Sequence, residues 1–175
     1  METNKITKTG ILAAAAFILQ VAGSMAGIRV AGFLDVEISD FPAIIAALAF
    51  GPLYGFAVEL IKNILHCSIS STSFIGELAN LIINGSYVLV LGAVYKRKRT
   101  KKGAVLALIT GGAVLTAAAM FANMYILLPL YLKDAPALTR LNLILYTITP
   151  FNIARAAVLG MLTMLSYKKL RKFFK

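Results

Sequence analysis

The sequence has little negative charge, one cysteine, one histidine and no tryptophan. Its 175 residues include 7 acidic against 18 basic ones, and charged residues together make up only 14%. A water-soluble domain carries about 25% charged residues, so this composition excludes an ordinary soluble protein. The single Cys67 excludes an internal disulfide, and the single His66 excludes any site that needs two histidines of one chain, including that of the His-Glu-x-x-His zinc proteases.

The chain is instead rich in apolar residues, which make up 59% of it, and its mean hydropathy is +0.83. A helix needs about 20 apolar residues to cross a bilayer. Four runs reach that length: 10–28, 74–95, 103–128 and 143–167. A fifth run, 41–66, is interrupted by Gly51-Pro52, so it predicts two short helices, 41–50 and 52–66. Ten residues cover only about 15 Å, so the helix over 41–50 is expected to be re-entrant or packed within protein.

The basic residues mark one side of the membrane. Thirteen of the 18 fall at the amino terminus, in the 96–102 loop or after residue 167. Loops rich in Lys and Arg stay cytoplasmic, which predicts a six-helix all-α integral membrane protein with both termini in the cytoplasm. Asp35, Glu37, Asp40 and Asp134 then fall in outer loops. Residues 1–175 are expected to form one transmembrane domain.

These segments allow two other interpretations. Residues 1–26 resemble a secretory signal, but cleavage would break the agreement between charge and the number of crossings. The net charge of +11 would favour nucleic acid in a soluble protein. Here the basic groups flank the spans, so we interpret them as topology anchors beside membrane lipid and expect no nucleic-acid partner.

Polar residues within the spans are candidates for function, because they are costly in lipid and usually face the bundle interior. In the fourth helix Glu77, Asn80, Asn84 and Tyr87 recur at spacings of 3, 4 and 3, which predicts a polar stripe on one face. Hydrogen bonding between helices is the structural alternative. Glu59 and Lys62 lie three apart and are expected to pair, either as a structural ion pair or beside a substrate.

The fifth and sixth helices add further polar residues. Asn123 lies near the outer end of the fifth helix, and Thr147, Thr149, Asn152 and Arg155 lie in the sixth. Pro150 suits a helix start. Because Arg155 has no acid in its own helix, it needs an acceptor from another helix, a backbone carbonyl, water or a ligand.

These side chains suit a flat uncharged ligand. Asparagine offers a donor and an acceptor side by side, and Arg offers only donors, which matches a heterocycle with alternating C=O and N–H groups. Tyr87, Tyr125, Tyr131, Tyr146 and Phe33 are candidates for stacking, or for the interfacial aromatic belt. The sequence has no nucleotide-binding loop, and no Ser-His or Cys-His catalytic pair is indicated, because Cys67 adjoins His66 in sequence and not across a site. We therefore expect a non-enzyme that draws energy from a partner or an ion gradient.

Several blocks of sequence resemble the riboflavin-binding S components of energy-coupling factor (ECF) transporters. These blocks are Phe33-Leu-Asp-Val-Glu-Ile-Ser-Asp-Phe-Pro-Ala43, Ala49-Phe-Gly-Pro-Leu-Tyr-Gly55, Glu59-Leu-Ile-Lys-Asn-Ile-Leu-His66, Gly76-Glu-Leu-Ala-Asn80, Ala122-Asn-Met-Tyr-Ile-Leu-Leu-Pro-Leu-Tyr131 and Thr149-Pro-Phe-Asn-Ile-Ala-Arg155. The resemblance implies a six-helix bundle with an outward-facing vitamin pocket, riboflavin or FMN as transported substrate, and no cofactor. It also implies a transmembrane coupling subunit and two cytoplasmic ATPase subunits as partners.

The resemblance also assigns roles to residues. Asn123 and Asn152 are expected to hydrogen-bond the isoalloxazine ring, Arg155 stands where the family carries lysine, and Leu34 with its neighbours is expected to form a lid. The family tends to show Ala-x-x-x-Ala facing the coupling subunit; here the run from Ala13 to Ala16, or the pair Gly10 and Ala14, offers the smooth strip. The substrate-binding candidates are Leu34, Glu77, Asn80, Asn84, Asn123, Tyr146, Thr147, Asn152 and Arg155.

Three alternatives remain at this point. The first is an S component for another vitamin or FMN. The second is a stand-alone proton-coupled carrier that uses Glu59 or Glu77. The third is a structural scaffold without a small ligand.

Overall fold

The protein is a bundle of six helices within residues 2–27, 29–30, 34–35, 38–70 and 74–170, which the computed structural model describes. The first four helices are α1 Glu2–Ala26, α2 Phe41–Ala49, α3 Pro52–His66 and α4 Ile75–Arg97. Helix α5 comprises Lys101–Ala122 and Leu128–Tyr131, joined by the π-helical turn Asn123–Leu127. Helix α6 comprises Ala137–Leu143 and Thr149–Leu170, joined by the π-helical turn Ile144–Ile148. Between α1 and α2, the two-residue strands β1 Arg29–Val30 and β2 Leu34–Asp35 pair antiparallel.

The four predicted spans are confirmed as long apolar helices. By length and composition, Thr3–Ala26, Ile75–Arg97, Lys101–Tyr131 and Ala137–Tyr167 can each cross a membrane. The prediction of where the sixth helix starts was wrong, because α6 begins at Ala137 and continues through Pro150.

Proline explains how α5 and α6 continue past these points. A proline ring clashes with the carbonyl four residues earlier and offers no N–H, so the preceding turn must widen. Each π-helical turn ends two residues before a proline: Leu127 before Pro129, and Ile148 before Pro150. Each wide turn is closed by a backbone hydrogen bond between residues five apart: Leu128 N–H donates to Asn123 O, and Thr149 N–H donates to Ile144 O. Both helices therefore bend around proline without ending.

The short pair α2 and α3 forms a hairpin inside the bundle. Gly51 makes the turn with φ of 118°, a conformation that favours glycine, and Pro52 starts α3. Seven of the nine α2 residues are buried. A helix of about 14 Å cannot span a membrane, and its burial shows that α2 is packed within protein.

Helices α3 to α6 alternate in direction and pack closely. A Cβ on Gly92 would lie 2.7 Å from the Pro52 backbone, and one on Gly111 would lie 2.8 Å from the Tyr87 ring. Such close approach through small residues is typical of membrane helices. At one end of the bundle, the hydroxyls of Tyr95 in α4 and Tyr167 in α6 lie 2.9 Å apart. The basic 96–102 loop and the end of α6 therefore share this end.

Helix α1 packs mainly on α3 and α2. Ala13 and Ala16 are buried against the core, whereas Gly10 and Ala14 are exposed. The expectation that the run from Ala13 to Ala16 is an outer strip is therefore wrong for Ala13 and Ala16. The exposed pair is Gly10 and Ala14.

Candidate functional site

Four charged side chains from three parts of the chain meet inside the bundle. Asp40 lies just before α2, Glu59 and Lys62 lie on α3, and Arg155 lies on α6; we call them the charged cluster. Lys62 Nζ lies 2.8 Å from Asp40 Oδ1 and 2.7 Å from Glu59 Oε2. Arg155 Nη2 donates to Asp40 Oδ2 at 2.5 Å. Asp40, Glu59 and Lys62 are fully buried, and the Arg155 side chain is 14% exposed. The two acids balance the two bases.

Asp40 is the residue that sequence reasoning missed. It was expected in an outer loop, but it is buried at the start of α2 and is the acceptor that Arg155 requires. Burial by itself raises the pKa of Asp40, but the charges of Arg155 and Lys62 outweigh it and hold the pKa below its ordinary value of 3.8. A signal was present, because an acid immediately before Phe41-Pro42 stands at a helix start, close to the interior.

Three asparagines on three helices form a second polar group, which we call the pocket amides. Asn84 on α4, Asn123 on α5 and Asn152 on α6 are 0%, 2% and 3% exposed. Neither Asn123 nor Asn152 therefore points into lipid. Their Nδ2 groups donate to carbonyls of their own helices, Asn123 to Ala119 O and Asn152 to Ile148 O, each at 2.8 Å. Asn84 Nδ2 donates to Asn80 Oδ1. Each amide is thus oriented by its own helix.

The acceptor side of two pocket amides is unused. Asn84 Oδ1 and Asn123 Oδ1 are buried and have no hydrogen-bond partner among the described residues. The hydroxyl of fully buried Tyr87 also lacks a hydrogen-bond partner within that part of the chain. A buried polar atom without a partner costs about 1–3 kcal/mol. The two amide oxygens are therefore suited to N–H or O–H groups of a ligand, and the Tyr87 hydroxyl can also donate to a C=O.

Both π-helical turns lie beside the pocket amides. Asn123 is the first residue of one, and Asn152 lies four residues after Ile148, the last residue of the other. Turns of this kind occur frequently at functional sites, where they redirect side chains. In both α5 and α6, a proline and a pocket amide therefore lie in or near the same π-helical turn.

Where α3 ends and α4 begins, Glu77 Oε1 lies 3.0 Å from His66 Nδ1. Glu77 is 5% exposed, so the structure pairs it with histidine and does not direct it to open solvent. Leu34, the predicted lid residue, lies on β2, is half-buried and packs against the core. Its neighbour Phe33 lies outside the described residues.

The remaining candidates from the sequence are on or near the surface. Tyr146 is 78%, Tyr125 68% and Tyr131 50% exposed, and Thr147 is half-buried. Direct contact of Tyr146 and Thr147 with a ligand stays a prediction. A groove of about 690 Å³ lies elsewhere, between α5 and α6, and none of the pocket amides lines it.

Comparison with known proteins gives consistent matches over nearly the whole chain. Residues 4–167 match the family described as "ECF transporter, substrate-specific component". The chain is 33% identical to "Riboflavin transporter RibU" of Staphylococcus aureus over 82% of this chain and 78% of that protein. It is 31% identical to "Riboflavin transporter FmnP" of Bacillus subtilis over 98% of this chain and 94% of that protein. A solved structure described as "Structure and mechanism of the S component of a bacterial ECF transporter" superposes with a TM-score of 0.82 at 29% identity, covering 100% of this chain and 99% of the other.

Proposed function

This chain belongs to the substrate-specific components of ECF transporters, and from that premise we propose that it captures riboflavin in an outward-facing pocket for uptake. The observation that carries the proposal is the likeness, at 31–33% identity, to two proteins named as riboflavin transporters. The pocket amides supply matching chemistry. The isoalloxazine ring of riboflavin is flat and uncharged and bears one N–H between two C=O groups. The N–H can donate to an open acceptor of Asn84 or Asn123, and a C=O can accept from the second hydrogen of an asparagine Nδ2.

The proposed pocket lies between α4, α5 and α6. The pocket amides bond the ring, Arg155 contributes a donor beside them, and Asn80 orients Asn84. Leu34 covers the ring from the first outer loop, and Glu77, Tyr146 and Thr147 lie around the entrance. Nanomolar capture requires about −12 kcal/mol, which several buried hydrogen bonds and enclosure of a tricyclic ring can supply.

Uptake then depends on a transmembrane coupling subunit and two cytoplasmic ATPases, since the chain has no nucleotide-binding loop. Both termini and the 96–102 loop lie in the cytoplasm of a prokaryotic cell in this proposal, with the membrane crossed six times. The exposed pair Gly10 and Ala14 on α1 gives the coupling subunit a surface that it can approach closely.

Flavin titration tests the capture step. Purified protein should quench riboflavin fluorescence, and Asn152→Ala should weaken binding by about tenfold or more, because a hydrogen bond to a buried amide is lost. Arg155→Lys keeps the charge beside Asp40 and should bind within a few-fold of the parent. Lys98→Ala, which alters an exposed residue outside the pocket, is the matched control. Equal affinities of Asn152→Ala and Lys98→Ala would contradict the pocket assignment, and tighter binding of FMN would change the substrate.

Reconstitution tests the energy source. With coupling subunit and ATPases, vesicles should accumulate riboflavin only when ATP is supplied. Accumulation driven by a pH gradient in vesicles that contain this chain alone would favour the proton-coupled carrier instead.

A further inference from the structure

The groove between α5 and α6 lies on the opposite side of α6 from the charged cluster, and the proposed function leaves it unused. We call it the α5–α6 groove. Its floor is made of small residues: Gly112, Ala113 and Ala117 of α5 and Ala156, Ala157 and Gly160 of α6. Flexible side chains, Met120, Met161 and Met164, form part of its walls. Thr116 also lines it, and its hydroxyl already donates to Gly112 O at 2.9 Å. The surface is therefore apolar throughout.

The groove is shaped for a thin flexible chain. At Gly112 a Cβ would lie 3.2 Å from Ala156 Cβ, so the two helices touch along the floor, whereas at Gly160 a Cβ would meet nothing within 4 Å. Along α5 the lining runs from Val105 to Met120, a length of about 22 Å. One leaflet of the hydrocarbon core is about 15 Å deep. The groove is therefore longer than one leaflet is deep, and it is open along its side.

Charge is concentrated at one end of this groove. Val105 lies one turn from Lys101 and Lys102, and both lysines are exposed. Six of the seven residues 96–102 are basic. Between residues 78 and 175 the sequence contains one acid, Asp134, which lies in the connection at the other end of α5 and α6. The basic end thus lacks an acidic neighbour on these two helices.

We propose that the α5–α6 groove binds one acyl chain of an anionic phospholipid whose headgroup rests on Lys101 and Lys102. A phospholipid has a charged headgroup followed by apolar tails, and this surface has a basic end followed by an apolar groove. A lipid whose headgroup binds at the basic end therefore places a tail along the groove. Each lysine near an anionic headgroup favours binding by about five-fold. This site does not depend on the flavin proposal, since no pocket amide lines the groove.

The absence of tryptophan makes a direct test possible. The full chain carrying Ile109→Trp, at a groove position that is 65% exposed, is reconstituted into vesicles of phosphatidylcholine mixed with phosphatidylglycerol. In each sample one of the two lipids carries brominated tails, which quench the fluorescence of a nearby indole. Ile18→Trp on α1, at a position that is 64% exposed, is the matched control. We expect phosphatidylglycerol to be preferred about five-fold or more at position 109, and near-equal quenching by both lipids at position 18.

Two further variants connect the preference to the groove. Adding Lys101→Gln and Lys102→Gln should abolish the preference at position 109. Gly160→Leu, which fills open space without a clash at its Cβ, should lower quenching there by tails of either lipid while helicity and thermal unfolding stay unchanged. The same lipid preference at both positions would overturn the proposal. So would an indole at position 109 that neither lipid quenches, because a second copy of the chain or another protein would then cover the groove.

Discussion

The charged cluster and the pocket amides are both buried polar groups, but they differ in what is left unpaired. In the cluster each charge has an opposite charge within 2.8 Å, and the two acids and two bases cancel. Among the amides, Asn84 and Asn123 each keep a buried acceptor without a partner in the described part of the chain. The first group is therefore balanced in charge, although Glu59 Oε1 has no hydrogen-bond partner among the described residues. The second group instead keeps neutral acceptors that a ligand can use.

This difference separates the residues that hold the bundle from those that bind. Removing one member of a balanced group leaves a buried charge, which acts on stability. Removing an amide whose acceptor has no protein partner leaves no buried charge unpaired. Its main effect is therefore on ligand affinity. Arg155 belongs to both regions, because it pairs with Asp40 and lies three residues from Asn152 on α6.

The largest effect is expected at Asp40. Asp40→Ala leaves Lys62 and Arg155 with one acid between them, and breaking a buried pair costs about 3–5 kcal/mol. Thermal unfolding in detergent measures this loss. Asp134→Asn, at an exposed position in the α5 to α6 connection, is the control and should change stability by less than about 0.5 kcal/mol. If the two variants unfold together, the cluster does not stabilise the fold.

A smaller effect is expected from removing a whole pair. Glu59→Gln or Lys62→Met alone leaves an unbalanced charge, but the double variant restores neutrality with Asp40 and Arg155 still paired. The double variant should therefore be about 1–3 kcal/mol more stable than the sum of the single losses predicts. Thermal unfolding of all four proteins gives the coupling. Additive losses would indicate that Glu59 and Lys62 act independently.

The amides should respond in the opposite sense. Asn123→Leu replaces a buried unpaired acceptor by an apolar group of similar shape, so the ligand-free protein should be unchanged or up to about 1 kcal/mol more stable. Flavin affinity should fall about 10- to 100-fold, because the acceptor for the ligand is lost. Unfolding and fluorescence titration measure the two effects.

Asn142→Leu, on the exposed surface of α6, is the matched control and should leave affinity unchanged. A strong loss of ligand-free stability in Asn123→Leu would place Asn123 with the charged cluster and not with the pocket.

Local signals in the sequence determine most of the bundle. Long apolar runs predicted the four spans, and Gly51-Pro52 divided the fifth run where the structure divides it; the bounds of α3 agree at both ends. The polar stripe of α4 was predicted because Asn84 and Tyr87 lie within one regular helix, where a period of 3.6 residues holds. These features depend on neighbours in the chain.

What the sequence did not reveal depends on packing or on a change of period. Asp40 and Arg155 are 115 residues apart, and no local pattern predicts which loop acid enters the bundle. Pro150 was interpreted as a helix start, whereas the chain widens into a π-helical turn before it. The extra residue in such a turn rotates the residues before it around the helix axis relative to Asn152. The 3.6-residue period therefore does not predict which face they share with Asn152. The exposure of Tyr146 within that turn was therefore not predictable from spacing.

The smallest effect is expected from pH between 8 and 5, and it also separates the two regions. Because Arg155 and Lys62 lower the pKa of Asp40 below 3.8, its contribution to stability is complete above that value and is lost only as pH falls through the lowered pKa. The stability difference between the parent and Asp40→Asn should thus stay constant from pH 8 to 5 and shrink below about pH 4. Thermal unfolding of both proteins across this range measures it, and Asp134→Asn should show no such difference. A gap that shrinks between pH 8 and 5 would mean that Asp40 takes up its proton near neutrality, which the two adjacent cations oppose.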